Sequence, residues 1–421
     1  MNYETVFDDI TRIIRKDYAG AKEIKNPSES ADFAQNLATA FKMKKLDDVY
    51  FLRVMRQYLA TLRDKNLRLT LVDNDHFKNG TRGITVRCYE KELYVTSSED
   101  ERIHVGDKLG KVNAKSPKWY LEHLTKNILW SDVQERMDWS EFLNSSERVR
   151  VDRPDGTKEF MDLKNFPLPE AAKEVVAEMP DAHTMYLRID HFLDEDMVQK
   201  AIDENAAVLD ICDRIIVDLR KNIGGYENAF YPLLPYVVDS TMMLSEFMGE
   251  QGIYTNFTKR NCNRRINQMK PFLESEDEDI RRIAQELTEE AKERAGAGFI
   301  YEKDEDLIAH DQKIEARGHA RMIFLVDSTT EDAAETLIQQ SKRMKRVTVV
   351  GRPTRGTIDY SNIMTIAYEG GFRFSYPISR SRDCEKGRGV MDKGIAVDEY
   401  VAWTPEEIGK DLILAKALEI G

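Results

Sequence analysis

Apolar positions recur at helical spacing through the first 67 residues. Val6, Ile10, Ile13 and Ile14 fall three and four apart, which marks one face of a helix. Asn26-Pro27-Ser28 breaks that stripe. Phe33, Leu37, Ala40 and Phe41 begin a second, and Leu52, Met55, Leu59 and Leu62 a third. This predicts a helical N-terminal domain over 1–67. The pattern then changes to short runs of strand type at Arg68–Val72, Gly83–Val86, Glu92–Val95, Gly106–Asn113 and Arg148–Val151. Pro154-Asp155-Gly156-Thr157 is a turn signal between two strands. A β-rich module is expected over 68–170. Beyond about residue 183 the apolar runs become continuous at Met185–Ile189, Arg214–Asp218, Met322–Val326 and Val347–Val350, with a helical pattern over Asp196–Leu209. Continuous apolar strands alternating with helices predict a sheet covered by helices over 171–421.

A dense charge run from Glu274 to Arg294 interrupts this last region, opening an insertion over about 274–318. Ile280, Ile283, Ala284 and Leu287 keep a helical stripe inside it. Two readings stand: a solvated amphipathic helix lying on the domain, or a lid or partner-binding arm.

Composition narrows the class without naming an activity. The chain has 421 residues, 41% of them hydrophobic, enough for a core and for two or three domains. A formal charge of −13 makes it a poor generic binder of nucleic acid. No run approaches the ~18 apolar residues that span a bilayer. The start, Met1-Asn2-Tyr3-Glu4-Thr5, lacks the basic and apolar regions of a secretory signal. A soluble cytoplasmic protein with no membrane partner is therefore expected. Cys88, Cys212, Cys262 and Cys384 form no CxxC pair, and His76, His183, His191, His310 and His319 are isolated. Reduced thiols, no metal and no cofactor follow as expectations.

Two segments carry chemistry together. In Ile216-Val217-Asp218-Leu219-Arg220-Lys221-Asn222-Ile223-Gly224-Gly225 a buried strand ends in Asp-x-Arg-x-Asn and a glycine pair. Glycines let backbone N–H groups approach a ligand or an oxyanion closely. In Leu325-Val326-Asp327-Ser328-Thr329-Thr330-Glu331-Asp332-Ala333-Ala334-Glu335 a strand ends in a polar turn, and a helix follows with two small residues and a Glu. In this order the segments resemble the C-terminal-processing (tail-specific) and tricorn-core serine peptidases. Downstream, Gly351-Arg352-Pro353-Thr354-Arg355-Gly356 and Gly394-Ile395-Ala396-Val397-Asp398 are similar to two of that family's turns, and Lys410-Asp411 opens a final helix that also matches. Upstream, Gly106-Asp107-Lys108-Leu109 and Val112-Asn113 resemble its PDZ-like module. The resemblance implies an α/β protease-like core of ClpP/crotonase type, with the helical N-terminal domain and the PDZ-like module attached.

The same alignment removes the chemistry it brings. A serine peptidase needs a nucleophile, a base and an oxyanion hole. The family's nucleophile is the Ser before the two small residues, and here that position is Asp332. The tricorn-type base stands in Leu-x-Asp-Gly-His-Thr; this chain has Leu62-Arg63-Asp64-Lys65-Asn66-Leu67, with Asn66 at the base position. The other branch uses a Lys that would fall at Thr357. Natural loss of peptidase activity is the main reading. Thr329-x-x-Asp332 also resembles a helix N-cap followed by an acidic third residue, so Asp332 is structural on one reading and a ligand-binding or catalytic group on another.

The remaining candidates also have two readings each. Gly224 and Gly225 keep the oxyanion-hole sequence, or are kept for turn geometry. Arg380 and Arg382, near Tyr376-Pro377 and followed by Arg388, could receive a peptide carboxylate, or balance an acidic surface. Ser328 and His76 are the residues from which an active site would have to be rebuilt, and both read as turn residues. The resemblance thus implies a pseudopeptidase binding an extended peptide or a protein C-terminus by adding a strand. An active serine peptidase with a rearranged site and an apolar small-molecule binder are the alternatives.

Overall fold

The computed structural model describes residues 2–23, 29–43, 45–72, 81–123, 133–144, 146–167, 175–249, 252–303 and 311–420. The chain divides into two compact units, neither of them continuous in sequence. One comprises Met1–Lys78, Gln251–Asp306 and Asp359–Gly389; the other comprises Asn79–Glu250, Leu307–Ile358 and Val390–Gly421.

In the first unit the three predicted helices form at Tyr3–Lys16, Glu29–Lys42 and Asp48–Ala60. Ile10, Ile13, Ile14, Phe51, Leu52 and Met55 are buried, as their spacing demands. The strand Arg68–Leu71 pairs antiparallel with Phe372–Ser381, far along the chain. That long strand also pairs with Gly252–Phe257 and Tyr360–Ala367, and Gly298–Lys303 closes the sheet. The helical region expected over 1–67 lies within this unit. Its chain runs straight into a sheet whose partners come from residues 252–381, a non-local pairing that periodicity cannot reveal.

The charged run forms the helix Glu278–Glu293, capped by the Asp277 carboxylate, which accepts from Asp279 N and Ile280 N. Its buried face is Ala284, Thr288 and Ala291, while Ile280 and Ile283 are 43% and 48% exposed. The small residues face inward, Ile280 and Ile283 face outward and Leu287 is half-buried, a partial rotation of the predicted stripe that lets the helix pack closely on Lys259–Met269.

Among the described residues the second unit holds two large sheets and a two-stranded ribbon of Met242–Met243 with Lys313–Ile314. The first is six-stranded, in the order Glu399–Tyr400, Val347–Gly351, Arg321–Val326, Arg214–Asp218, Thr184–Arg188, Val176–Asp181. All neighbours are parallel except the last pair. Successive side chains on each strand point to opposite faces. Ile215, Val217, Met322, Phe324 and Val326 join one buried cluster with Leu337 and Ile338 of the helix Ala333–Ser341. Ile216, Ile323 and Leu325 join another with Ile413 and Ala417 of the helix Leu412–Glu419. Both faces are covered, which is why these strands read as unbroken apolar runs. The helix Glu195–Leu209 begins at an Asp194 cap, one residue before its predicted start.

The second sheet is a five-stranded antiparallel meander of Ile84–Tyr89, Glu92–Ser98, Lys108–Val112, Arg148–Asp152 and Lys158–Asp162. The predicted turn at 154–157 joins its last two strands. Leu93, Val95, Leu109, Val112, Val149, Val151 and Trp139 form its core.

Candidate active site

The site is built where two parallel strands of the six-stranded sheet end side by side. Arg214–Asp218 runs into the segment 219–226, and Arg321–Val326 into 327–332. The first loop is tied down by its own polar residues. Asn222 is fully buried; its Nδ2 donates to Ile189 O at 3.0 Å, and its Oδ1 accepts from Gly224 N at 2.8 Å. Phe192 N donates to Gly224 O at 2.7 Å, and Tyr226 N donates to Phe192 O at 2.7 Å. The glycine pair is required here. A Cβ on Gly225, at φ +135°, would sit 2.3 Å from the Phe192 carbonyl carbon and oxygen. A Cβ on Gly224 would sit 2.3 Å from Asp332 Cβ.

The second loop delivers Asp332 to this turn. Asp332 has φ 58° and ψ −125°, immediately before the helix Ala333–Ser341. Such a backbone costs a residue with a Cβ about 1–3 kcal/mol. A sharp, strained strand-to-helix turn is the geometry by which hydrolases of α/β type expose a nucleophile. The expectation that Thr329 caps the helix and Asp332 lies in its first turn is corrected. The helix starts at Ala333, and the Asp332 side chain makes no capping hydrogen bond. Thr329 Oγ1 instead donates to Arg220 O and, at 2.6 Å, to Asp327 Oδ1. A cap needs extended backbone, and Asp332 lacks it. Its Oδ2 turns toward the glycine pair and accepts from Gly225 N at 3.0 Å.

A buried carboxylate holds the elbow from behind. Glu335 is fully buried, and its oxygens accept from Thr354 Oγ1, Gly356 N, Thr357 N at 2.6 Å and Thr357 Oγ1 at 2.7 Å. Thr357 Oγ1 in turn accepts from Asp332 N at 2.9 Å. Glu331 N donates to Asn222 O at 3.1 Å, and Arg355 N to Thr330 O at 2.8 Å. The sequence carries Glu335 and Thr357 inside its motifs, but their clamping roles appear only once the two segments meet.

Charged groups around the elbow are paired. Asp327 is buried and ion-paired with Arg87 of the meander. Burial pushes its carboxyl up, but Arg87 and the Thr329 hydrogen bonds outweigh that and hold it below the usual range. Arg136, also from the meander side, donates to Pro353 O at 2.8 Å and Arg355 O at 3.2 Å. Arg220 reaches Asp218 Oδ1 at 2.9 Å and both Asp411 oxygens at 2.7 Å. Burial opposes its charge, yet the two carboxylates prevail and raise its pKa.

Asn66, the other residue singled out, belongs to the first compact unit. Its N–H donates to Asp64 Oδ1 at 2.8 Å and its side-chain amide to Tyr360 O at 3.2 Å. Arg380, expected as a peptide-binding group, has its partners within the first unit. It is buried, with Nη1 3.1 Å from Glu23 and Nη2 paired with Glu385, and it lies 4.4 Å above the Phe299 ring. Residues distant in sequence supply those partners, so the basic cluster did not reveal its own neutralisation. Arg382 lies 6.0 Å from the Tyr301 ring centre. His76 and His310 fall outside the described residues. Among the described residues no group of three or more His, Cys, Asp or Glu gathers as a metal site, and no helix is long and apolar enough to cross a membrane.

A mostly parallel sheet flanked by helices, with a strained elbow set against a glycine turn at its strand ends, defines an α/β fold. The model of peptidase family S41 matches residues 183–401, and the chain belongs to that family. Among solved structures, mature CPAF superposes with a TM-score of 0.64 at 14% identity, over 97% of this chain and 94% of that one. Mature CPAF complexed with lactacystin gives 0.63 at 14% identity, over 97% and 95%. At this identity the likeness is one of fold. No curated protein sequence matches the chain.

Proposed function

We propose that this S41 member is non-catalytic and binds an extended peptide segment where an active relative would cleave one. The observation that carries the reading is Asp332, a carboxylate on the elbow with its own oxygen on the Gly225 N–H. Acyl transfer from an amide requires a hydroxyl or thiol nucleophile, whose ester is then hydrolysed. A carboxylate attacking an amide would form an anhydride, less stable than the bond it replaced. A backbone N–H that would stabilise a developing oxyanion is here bound by a resident anion, which repels a second one.

The base position supports the same reading. An amide such as Asn66 has no proton to exchange near neutral pH, and this one already serves the backbone of Tyr360. Thr357, where the other branch would carry a Lys, spends its hydroxyl on Glu335 and on Asp332 N. The meander of residues 84–162 is proposed as a PDZ-like module. Of the two ligands considered, an extended segment is favoured over a protein C-terminus, because Arg380 is consumed internally and Asp332 repels a terminal carboxylate.

The test is restoration. Asp332→Ser combined with Asn66→His is expected to gain cleavage of an unstructured protein such as casein above the wild-type level. Casein cleavage by the wild type at the level of the double variant would contradict the proposal.

A further inference from the structure

Beside the elbow runs an apolar strip left open to solvent. The segment 190–193 lies alongside 223–226: Ile223 N donates to Asp190 O at 3.1 Å, and Phe192 pairs with Gly225 as a parallel bridge. Leu193, Ile223 and Tyr226 on these two segments are 49%, 54% and 61% exposed. Each is a large side chain on a loop fixed by buried partners, so its exposure is not that of a loose surface residue. Contiguous exposed apolar groups rimmed by polar ones mark interaction surfaces.

The charge around the strip is predominantly negative. Residues 190–196 read Asp-His-Phe-Leu-Asp-Glu-Asp, four carboxylates with no Lys or Arg. Asp190 is partly offset by Arg188 at 3.3 Å, and Glu331 by Arg355 at 3.1 Å. Lys221, two residues before Ile223, is exposed. Asp332 is exposed and has one oxygen on Gly225 N. In an active peptidase this N–H would receive a substrate carbonyl. Here the carboxylate presents acceptors outward, so the complementary group is a donor that carries positive charge.

We infer that the strip of Leu193, Ile223 and Tyr226 binds an extended peptide segment in which a Lys or Arg side chain, flanked by apolar residues, pairs with Asp332. This rests on the peptide-binding reading above and adds its selectivity. The flanking apolar residues lie on the strip, and the exposed Tyr226 ring offers a face for the cation. A partly exposed ion pair with an aromatic neighbour is worth about three- to tenfold in affinity.

The test is fluorescence anisotropy on the full chain with three dye-labelled, C-terminally amidated peptides of sequence Ala-Leu-X-Leu-Ala, where X is Lys, norleucine or Glu. The dye caps the amino terminus, so only the side chain differs. Expected is tighter binding of the Lys peptide than of the norleucine one, by about three- to tenfold, with Glu weakest. Raised salt and Asp332→Asn should each shrink the Lys preference, and Tyr226→Ser should weaken all three. Equal binding of the Lys and norleucine peptides, or a preference that survives Asp332→Asn, overturns the cation selectivity and leaves peptide binding standing. Absence of binding by all three overturns both.

Discussion

A residue with a Cβ at φ 58° and ψ −125° is held there by what surrounds it. Asp332 N is taken by Thr357, its side chain by Gly225, and its carbonyl accepts from Glu335 N at 2.8 Å. Strain of this kind persists at functional sites because neighbouring structure over-determines it. In Asp332→Gly the relief of about 1–3 kcal/mol of strain is set against about 1 kcal/mol for the lost hydrogen bond and somewhat less for the greater chain entropy of Gly, so thermal stability should stay close to that of the wild type. A fall in Tm of several degrees would show that the position is unstrained.

Asp64 makes a prediction of a different kind. Burial pushes its carboxyl up to about 6, against the hydrogen bonds from Asn66 N and the Tyr18 hydroxyl. Below its unfolded value both states hold the proton. As pH rises toward 6 the unfolded chain loses it first, so stability falls, on the order of 3 kcal/mol in all. Denaturant titrations between pH 4 and 7 should show that fall in the wild type and a flatter profile in Asp64→Asn.

At the scale of elements, the elbow depends on the turn at 354–357 docking against the helix Ala333–Ser341. Glu335→Ala would leave buried donors on Thr354, Gly356 and Thr357 without their acceptor, at a cost of roughly 3 kcal/mol; a Tm within a degree of wild type would refute the clamp. Gly225→Ala should cost more than the ~1 kcal/mol of an ordinary glycine replacement, since its Cβ would strike the Phe192 carbonyl. Elements formed by local periodicity were legible in the sequence: the three N-terminal helices, the strands at 214–218, 321–326 and 347–351, and the 154–157 turn. Gly252–Phe257 and Gly298–Lys303 alternate weakly and pair across a long intervening segment, so periodicity does not mark them, whereas Tyr360–Ala367 and Phe372–Ser381 pair with each other across a short turn and Phe372-Arg373-Phe374-Ser375-Tyr376 alternates, a local strand signal that the sequence did carry. Asp332 was found by motif, and its contact with Gly225 was foreshadowed by the glycine pair. Its backbone was misread because a carboxylate before two alanines looks like an ordinary helix start.

At the scale of the molecule, each compact unit is assembled from three chain segments, so no linear division isolates one. Within the second unit Arg220 joins the strand end at Asp218 to the cap of the last helix at Asp411. Arg220→Ala would leave Asp218 buried with no cation, held only by the Tyr186 hydroxyl and the backbone N–H of residue 220, costing about 3 kcal/mol, readable as a lower denaturation midpoint. Family membership and fold predict a peptidase, whereas the chemistry at the elbow predicts none. The most direct measurement is hydrolysis of a quenched-fluorescent peptide library by the purified wild type beside Asp332→Ala. The account predicts no release of fluorescence above buffer from either protein. Hydrolysis by the wild type that disappears in Asp332→Ala would contradict it.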